Sequence, residues 1–215
     1  MSDRVIYPIR HPPVLLGWKE LVIGVDLVGG AARFAGLPRA GLVLITHPHS
    51  DHLAAETLQT IAPDQAPIIA PPTVAVQLPA ALRARTTVFT NGQSATLLGV
   101  TVEAIPAYDL TTERLKFHSR GRDNGYLLTL SGRRVYLSGD TEDTSEMRAL
   151  RNIDVAFLCM NLPYTMTVDQ AASAVRAFRP KIVHPYHYRG ADLEKFKQFV
   201  ADDAGAEVRL RNWYR

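Results

Sequence analysis

The sequence predicts an α/β fold, and three observations lead there. Short β-branched runs alternate with helical stretches. Most of those runs are apolar on both faces, as strands buried inside a layered structure are. No linker, low-complexity tract or repeat at the 20–50-residue scale divides the 215 residues, so one domain, 1–215, is expected. Composition agrees: 47% hydrophobic and 21% charged residues, with 14 Gly and 14 Pro, exclude disorder, collagen-like repeats and coiled coil for the whole chain. A domain of this size buries roughly 70% of its unfolded surface and needs no staples.

The strands expected, in order, are Leu21–Val25, Leu42–Thr46, Pro67–Ala70, Val100–Ile105, Tyr126–Leu130, Arg133–Leu137, Val155–Leu158 and Ile182–Val183. A helix is expected over Leu53–Leu58. A second starts at Thr167, where Thr167-x-x-Gln170 forms a capping box. Val168, Ala171, Ala172, Val175 and Phe178 then keep helical spacing until Pro180 stops the run. A last helix covers Leu193–Val200, with Phe196 on its apolar face. Asp109–Asn124 has no clean periodicity and is dense in charge, with Glu113, Arg114, Lys116, Arg120, Arg122 and Asp123. A loop of that length is either functional or a solvated excursion.

Asp3, Pro8, Arg10 and His11 interrupt the start of the chain, and Asp26 breaks the apolar run Leu21–Val28. Neither matches a secretory signal or the ~18 apolar residues of a membrane helix, so a cytoplasmic protein with no membrane partner is expected. The net charge of +3 is too small to imply nucleic acid by itself. Cys159 is the only cysteine, which excludes an internal disulfide and a cysteine-rich zinc site. Any metal falls to His, Asp or Glu.

Three of the seven histidines lie in Thr46-His47-Pro48-His49-Ser50-Asp51-His52, directly after an expected buried strand. In an extended chain His47 and His49 point to one side. Asp51 adds a hard carboxylate and His52 a third imidazole. Two neighbouring ions need such a set, and these donors suit zinc, manganese or iron. A polar loop merely rich in histidine would leave four metal-competent side chains in six residues without a reason. Asp140 and His187 also follow expected strands, where loops of an α/β sheet converge. Taken alone, Asp140 reads as a turn or cap residue and His187 as a surface histidine.

His-x-His-x-Asp-His after a strand resembles the signature of the metallo-β-lactamase superfamily. Ser138-Gly139-Asp140-Thr141 is similar to the family's Gly-Asp-Thr, and Pro185-Tyr186-His187-Tyr188 to the segment with its last histidine ligand. Ile105-Pro106-Ala107-Tyr108, Asn124-Gly125-Tyr126 and Tyr164-Thr165-Met166 resemble the branch that holds ascorbate-phosphate lactonases and phospholipase D type enzymes. The resemblance spans about Leu42 to Tyr188 and, more loosely, the rest. It implies a four-layer αββα sandwich and two zinc ions, with manganese or iron as substitutes. It implies His47, His49 and the Asp109 position at the first ion, Asp51, His52 and His187 at the second, and Asp140 bridging. Asp51 would also orient a metal-activated hydroxide.

The chain departs from the pattern at Asp109, where the family usually carries a third histidine. Asp109 can ligate in its place, or His118 can fold back to supply the imidazole, as a ligand or a substrate contact. His11 falls where this branch often has Gly-His-Ala-Ser, but only the histidine matches, so a proline-rich turn competes with a place near the metals. His184 reads as a supporting or core residue. Tyr164, Tyr186 and Tyr188 are near enough in sequence to line a pocket. The expected activity is a metal-dependent hydrolase of a small ester, lactone or phosphodiester. The basic loop (Arg114, Lys116, Arg120, Arg122) weakly favours an anionic substrate. The alternatives are a nuclease-like member, which would need a recognition domain, and a di-iron redox protein, which would need a flavin domain. A catalytically silent metal-binding protein is the last. A small molecule is the expected partner, nucleic acid is not expected, and the oligomeric state is left open.

Overall fold

The eight strands that propensity predicts are all present, some with shifted bounds, and five further strands join them. The structure is a computed structural model that describes residues 4–9, 13–201 and 205–213. The chain divides into two compact units, Met1–Phe89 with Asn212–Arg215, and Thr90–Arg211. Each carries one sheet.

The first unit has a six-stranded sheet in sequence order: β1 (Arg4–Pro8), β2 (Val14–Trp18), β3 (Leu21–Val25), β4 (Leu42–Leu44), β5 (Ile68–Ala70) and β6 (Thr86–Val88). The first three pair antiparallel and the rest are parallel. A 3-10 turn (Ala31–Phe34) and the helices α1 (Ala55–Ile61), α2 (Pro72–Ala75) and α3 (Ala80–Arg83) complete it. Leu15, Leu27, Val43, Ile45, Leu58 and Ile68 form its buried core. Two expectations shift here. β4 ends at Leu44 rather than Thr46, because the Thr46 amide donates to the Asp26 carboxylate and not to a neighbouring strand. The helix expected from Leu53 starts at Ala55, because the His49 carbonyl first closes a tight turn on the His52 and Leu53 amides.

The second unit has a seven-stranded sheet in the order β13-β12-β11-β10-β9-β8-β7. These strands are β7 (Ser94–Leu97), β8 (Val100–Ala107), β9 (Asp123–Leu130), β10 (Arg133–Leu137), β11 (Val155–Cys159), β12 (Ile182–Tyr186) and β13 (Glu207–Val208). From β7 to β10 the pairing is antiparallel, and from β10 to β13 parallel. Its helices are α4 (Ser145–Arg148), α5 (Val168–Phe178) and α6 (Leu193–Ala201). At α5 the capping box is present, with both bonds formed, and the helix ends on Arg179 in the left-handed region just before Pro180. β9 begins at Asp123, three residues earlier than expected. Its polar start is tolerated because Arg122 holds the Asp123 carboxylate through two nitrogens and Asn91 donates to Asn124. Among the described residues no helix is long and apolar enough to cross a membrane.

Candidate metal centre

In the first unit, β3 and β4 run parallel, so the chain leaves both at the same end. Asp26 follows β3 and Thr46 lies just past β4. Asp26 is buried, and its carboxylate accepts three bonds: from the Thr46 amide, the Thr46 hydroxyl and His52 Nδ1, each at 2.8 Å. The Thr46 hydroxyl has one proton, and Asp26 receives it. The 2.9 Å contact between Thr46 Oγ1 and His47 Nδ1 therefore has the imidazole donating. Both His47 and His52 are thus protonated at Nδ1, which puts the lone pair that a metal needs on Nε2.

The three rings cluster. His47 and His52 have centroids 3.9 Å apart, and His47 and His49 meet edge to face at 4.7 Å. The expectation that His47 and His49 share a side is met, with ligand-capable nitrogens within 4.8 Å of one another. Asp51 is exposed, with Oδ2 3.7 Å from His52 Nε2. This unit therefore gathers His47, His49, Asp51 and His52.

In the second unit, the parallel strands β10, β11 and β12 deliver Asp140 and His187 to one end of the sheet. The loop after β11 ties in through the Met160 amide, which donates to the His187 carbonyl. Asp140 sits between two imidazoles, with Oδ1 3.6 Å from His187 Nδ1 and Oδ2 3.7 Å from His118 Nε2. Two donors ~2.1 Å from one tetrahedral ion stand about 3.4 Å apart, so each pair is spaced as co-ligands are. All three residues are buried.

Geometry separates the two candidates for the odd position. Asp109 Oδ2 accepts from His118 Nδ1 at 3.0 Å, and the Asp109 amide donates to the His118 carbonyl. Asp109 stands behind the imidazole, while His118 presents Nε2 toward Asp140. Burial pushes the Asp109 carboxyl up. Burial pulls His118 down, but the Asp109 hydrogen bond and the charges of Asp140 and Asp109 outweigh it and leave its pKa raised.

Other expected residues fall elsewhere. Tyr164 is exposed, its ring against Phe117. The Tyr188 hydroxyl donates to the Arg211 carbonyl. His184 stacks on Phe157 and bonds the Arg209 carbonyl, a core role as read from the sequence. His11 lies outside the described residues. The basic loop is largely neutralised within its own unit: Arg114 bonds Glu142, Arg120 bonds Glu146 and Arg122 bonds Asp123. That pairing removes most of the sequence argument for an anionic substrate.

Sequence reasoning passed over Asp26 as a functional residue, though an acid inside the apolar run Leu21–Val28 was its signal. The donors here are imidazole nitrogen and carboxylate oxygen, a set suited to zinc, manganese or iron. Cys159 takes no part, since burial pushes its thiol up to about 12.

Clustered imidazoles and carboxylates at strand ends of an α/β fold define a candidate metal-binding protein as the class. Residues 24–188 match the family model described as the beta-lactamase superfamily domain, and the chain belongs to that superfamily, with its metallo-β-lactamase type of α/β fold. A metal-dependent hydrolase of Thermococcus onnurineus is 31% identical over 201 residues, 88% of each chain. A solved structure from Parabacteroides distasonis, provisionally named a metal-dependent hydrolase, is 40% identical with a TM-score of 0.89, covering 97% of this chain and 92% of that one. A metallo hydrolase of Ignicoccus hospitalis shares the fold at 24% identity and a TM-score of 0.79, over 96% and 94% of the two chains.

Proposed function

We propose that this chain is a binuclear zinc hydrolase of a small ester, lactone or phosphodiester. His47, His49 and His118 hold one ion, Asp51, His52 and His187 the other, and Asp140 is shared. The observation that carries this reading is Asp140 itself, with one oxygen at co-ligand distance from His187 and the other from His118. Motif order and the named activity of the relatives support it. Manganese or iron fits the same donors.

When bound, the ions supply a lowered water pKa and a positive site for charge developing on the substrate. The chain's own residues do the rest. Asp26 and Asp109 keep His52 and His118 in the tautomer whose Nε2 carries the lone pair. Asp51 is exposed enough to accept a hydrogen bond from the attacking water and orient it. Tyr188 braces the last strand connection through Arg211.

Elemental analysis of purified protein should find one to two ions of zinc, manganese or iron per chain. Asp140→Ala should leave a folded protein that loses hydrolysis in a screen of ester, lactone and phosphodiester substrates. A shared carboxylate serves both ions, so the loss should exceed the ~10–100-fold typical of a supporting residue. Near-full turnover in Asp140→Ala, or a protein that cannot be loaded with metal, would overturn the reading.

A further inference from the structure

Two residues past Asp140, Glu142 is completely buried and accepts five hydrogen bonds. Its Oε2 takes the amides of Leu110 and Thr111, both at 2.5 Å. Its Oε1 takes the Thr111 hydroxyl at 2.7 Å, Arg114 Nη1 at 2.5 Å and Gln170 Nε2 at 3.1 Å. A carboxylate has about four lone-pair positions, so Glu142 has nothing left for an ion.

Those bonds hold the excursion that carries His118. The Glu142 amide donates to the Tyr108 carbonyl, and Thr141 Oγ1 bridges the Tyr108 amide and carbonyl. Residues 108–111 are therefore stitched to residues 141–142 on both sides of Asp109. Asp109 in turn holds His118 through backbone and side chain. Arg114, midway round the excursion, also donates to the Thr165 carbonyl. The short segment 140–142 thus carries one ligand and the anchor that sets another against it.

We propose that Glu142 is a positioning residue for the metal centre, one that fixes the excursion 109–118 so that His118 Nε2 stands at co-ligand distance from Asp140. It acts only through His118, and it rests on the reading of His118 and Asp140 as ligands given above.

The test is a double-mutant cycle read by zinc affinity, from competition of the full-length chelated protein against a chromophoric zinc chelator. Glu142→Ala should weaken zinc binding roughly 10–100-fold, and His118→Ala should weaken it as well. In the His118→Ala background, Glu142→Ala should cost less than about twofold more, because a residue acting through His118 has nothing left to position. General structural damage would instead multiply the two losses, and that result overturns the positioning role. Zinc affinity unchanged in Glu142→Ala overturns it too. If His118→Ala itself binds zinc as the wild type does, the ligand assignment falls and takes the proposal with it. If Glu142→Ala fails to fold, Thr111→Val and Arg114→Met each remove one donor and enter the same cycle. Their losses must likewise vanish in the His118→Ala background, and losses that persist there refute the role.

Discussion

His52 keeps its proton on Nδ1 because Asp26 stands 2.8 Å away to accept it, and Asp26 is itself fixed by two bonds from Thr46. All three donors need an acceptor, so no neutral side chain satisfies them together. Asp26→Ala should lower zinc affinity ~10–100-fold, and Asp26→Asn should also lower it, since an amide turns one contact into donor against donor. Chelator competition reads both, and wild-type affinity in either variant would mean that the carboxylate does not hold the ligand. Another pH-sensitive residue is His184. Burial against Phe157 pushes His184 down to about 4, against 6.5 in the unfolded chain. Between those values the unfolded chain binds more protons, so stability is full above 6.5 and falls as pH drops toward 4. The loss is at most about 3 kcal/mol. Urea titrations of the chelated protein at pH 7 and 4.5 should show it, and His184→Leu should flatten that part of the difference.

At the scale of elements, the register of β9 against β10 sets where Asp140 emerges. Gly125 lies on β9, where an added Cβ would sit 2.6 Å from the Ser138 carbonyl and 2.9 Å from that of Leu137. Backbone cannot yield as a side chain tip can. Gly125→Ala should therefore cost roughly 1–3 kcal/mol in denaturant and weaken metal binding by shifting the segment that carries Asp140. Unchanged stability would show that the strands adjust freely. The elements that carry these residues were mostly readable in the sequence, because their signals are local. The Thr167 capping box and Pro180 bound α5, and the apolar runs mark β3, β4, β5, β8, β10 and β11. The strands passed over are β1, β2, β6, β7 and β13: β6 and β7 show little burial, β13 has two residues, and the turn between β2 and β3 puts Lys19, not glycine, at positive φ. The site divides the same way. His47, His49, Asp51 and His52 are contiguous and carry their own pattern. Asp140 and His187 gained meaning only through the family resemblance. That Asp109 backs His118 depends on a loop closure that spacing alone cannot specify, and Asp26 meets partners 20 and 26 residues away.

At the scale of the whole molecule, the proposed ligands come from two stretches of the sequence: His47, His49, Asp51 and His52 in one, His118, Asp140 and His187 in the other. An ion that binds the native chain and not the unfolded one stabilises it by mass action, about 2.7 kcal/mol when its free concentration is a hundred times its dissociation constant. For a chain of this length that should raise Tm by roughly 5–10 °C. How variants divide this shift tests whether one centre draws on both sets. If it does, His47→Ala and His187→Ala should each reduce the zinc-induced shift, and combining them should remove it with less than additive effect, because each variant damages the same pair of ions. Two separate sites would behave differently: each variant would remove its own share, the two shares would sum to the whole, and the melting curve could split into two transitions. Calorimetry of chelated and zinc-loaded wild type beside the three variants separates these outcomes. A zinc-induced shift undiminished in His187→Ala would show that the 47–52 segment binds metal alone, and the shared centre would fall.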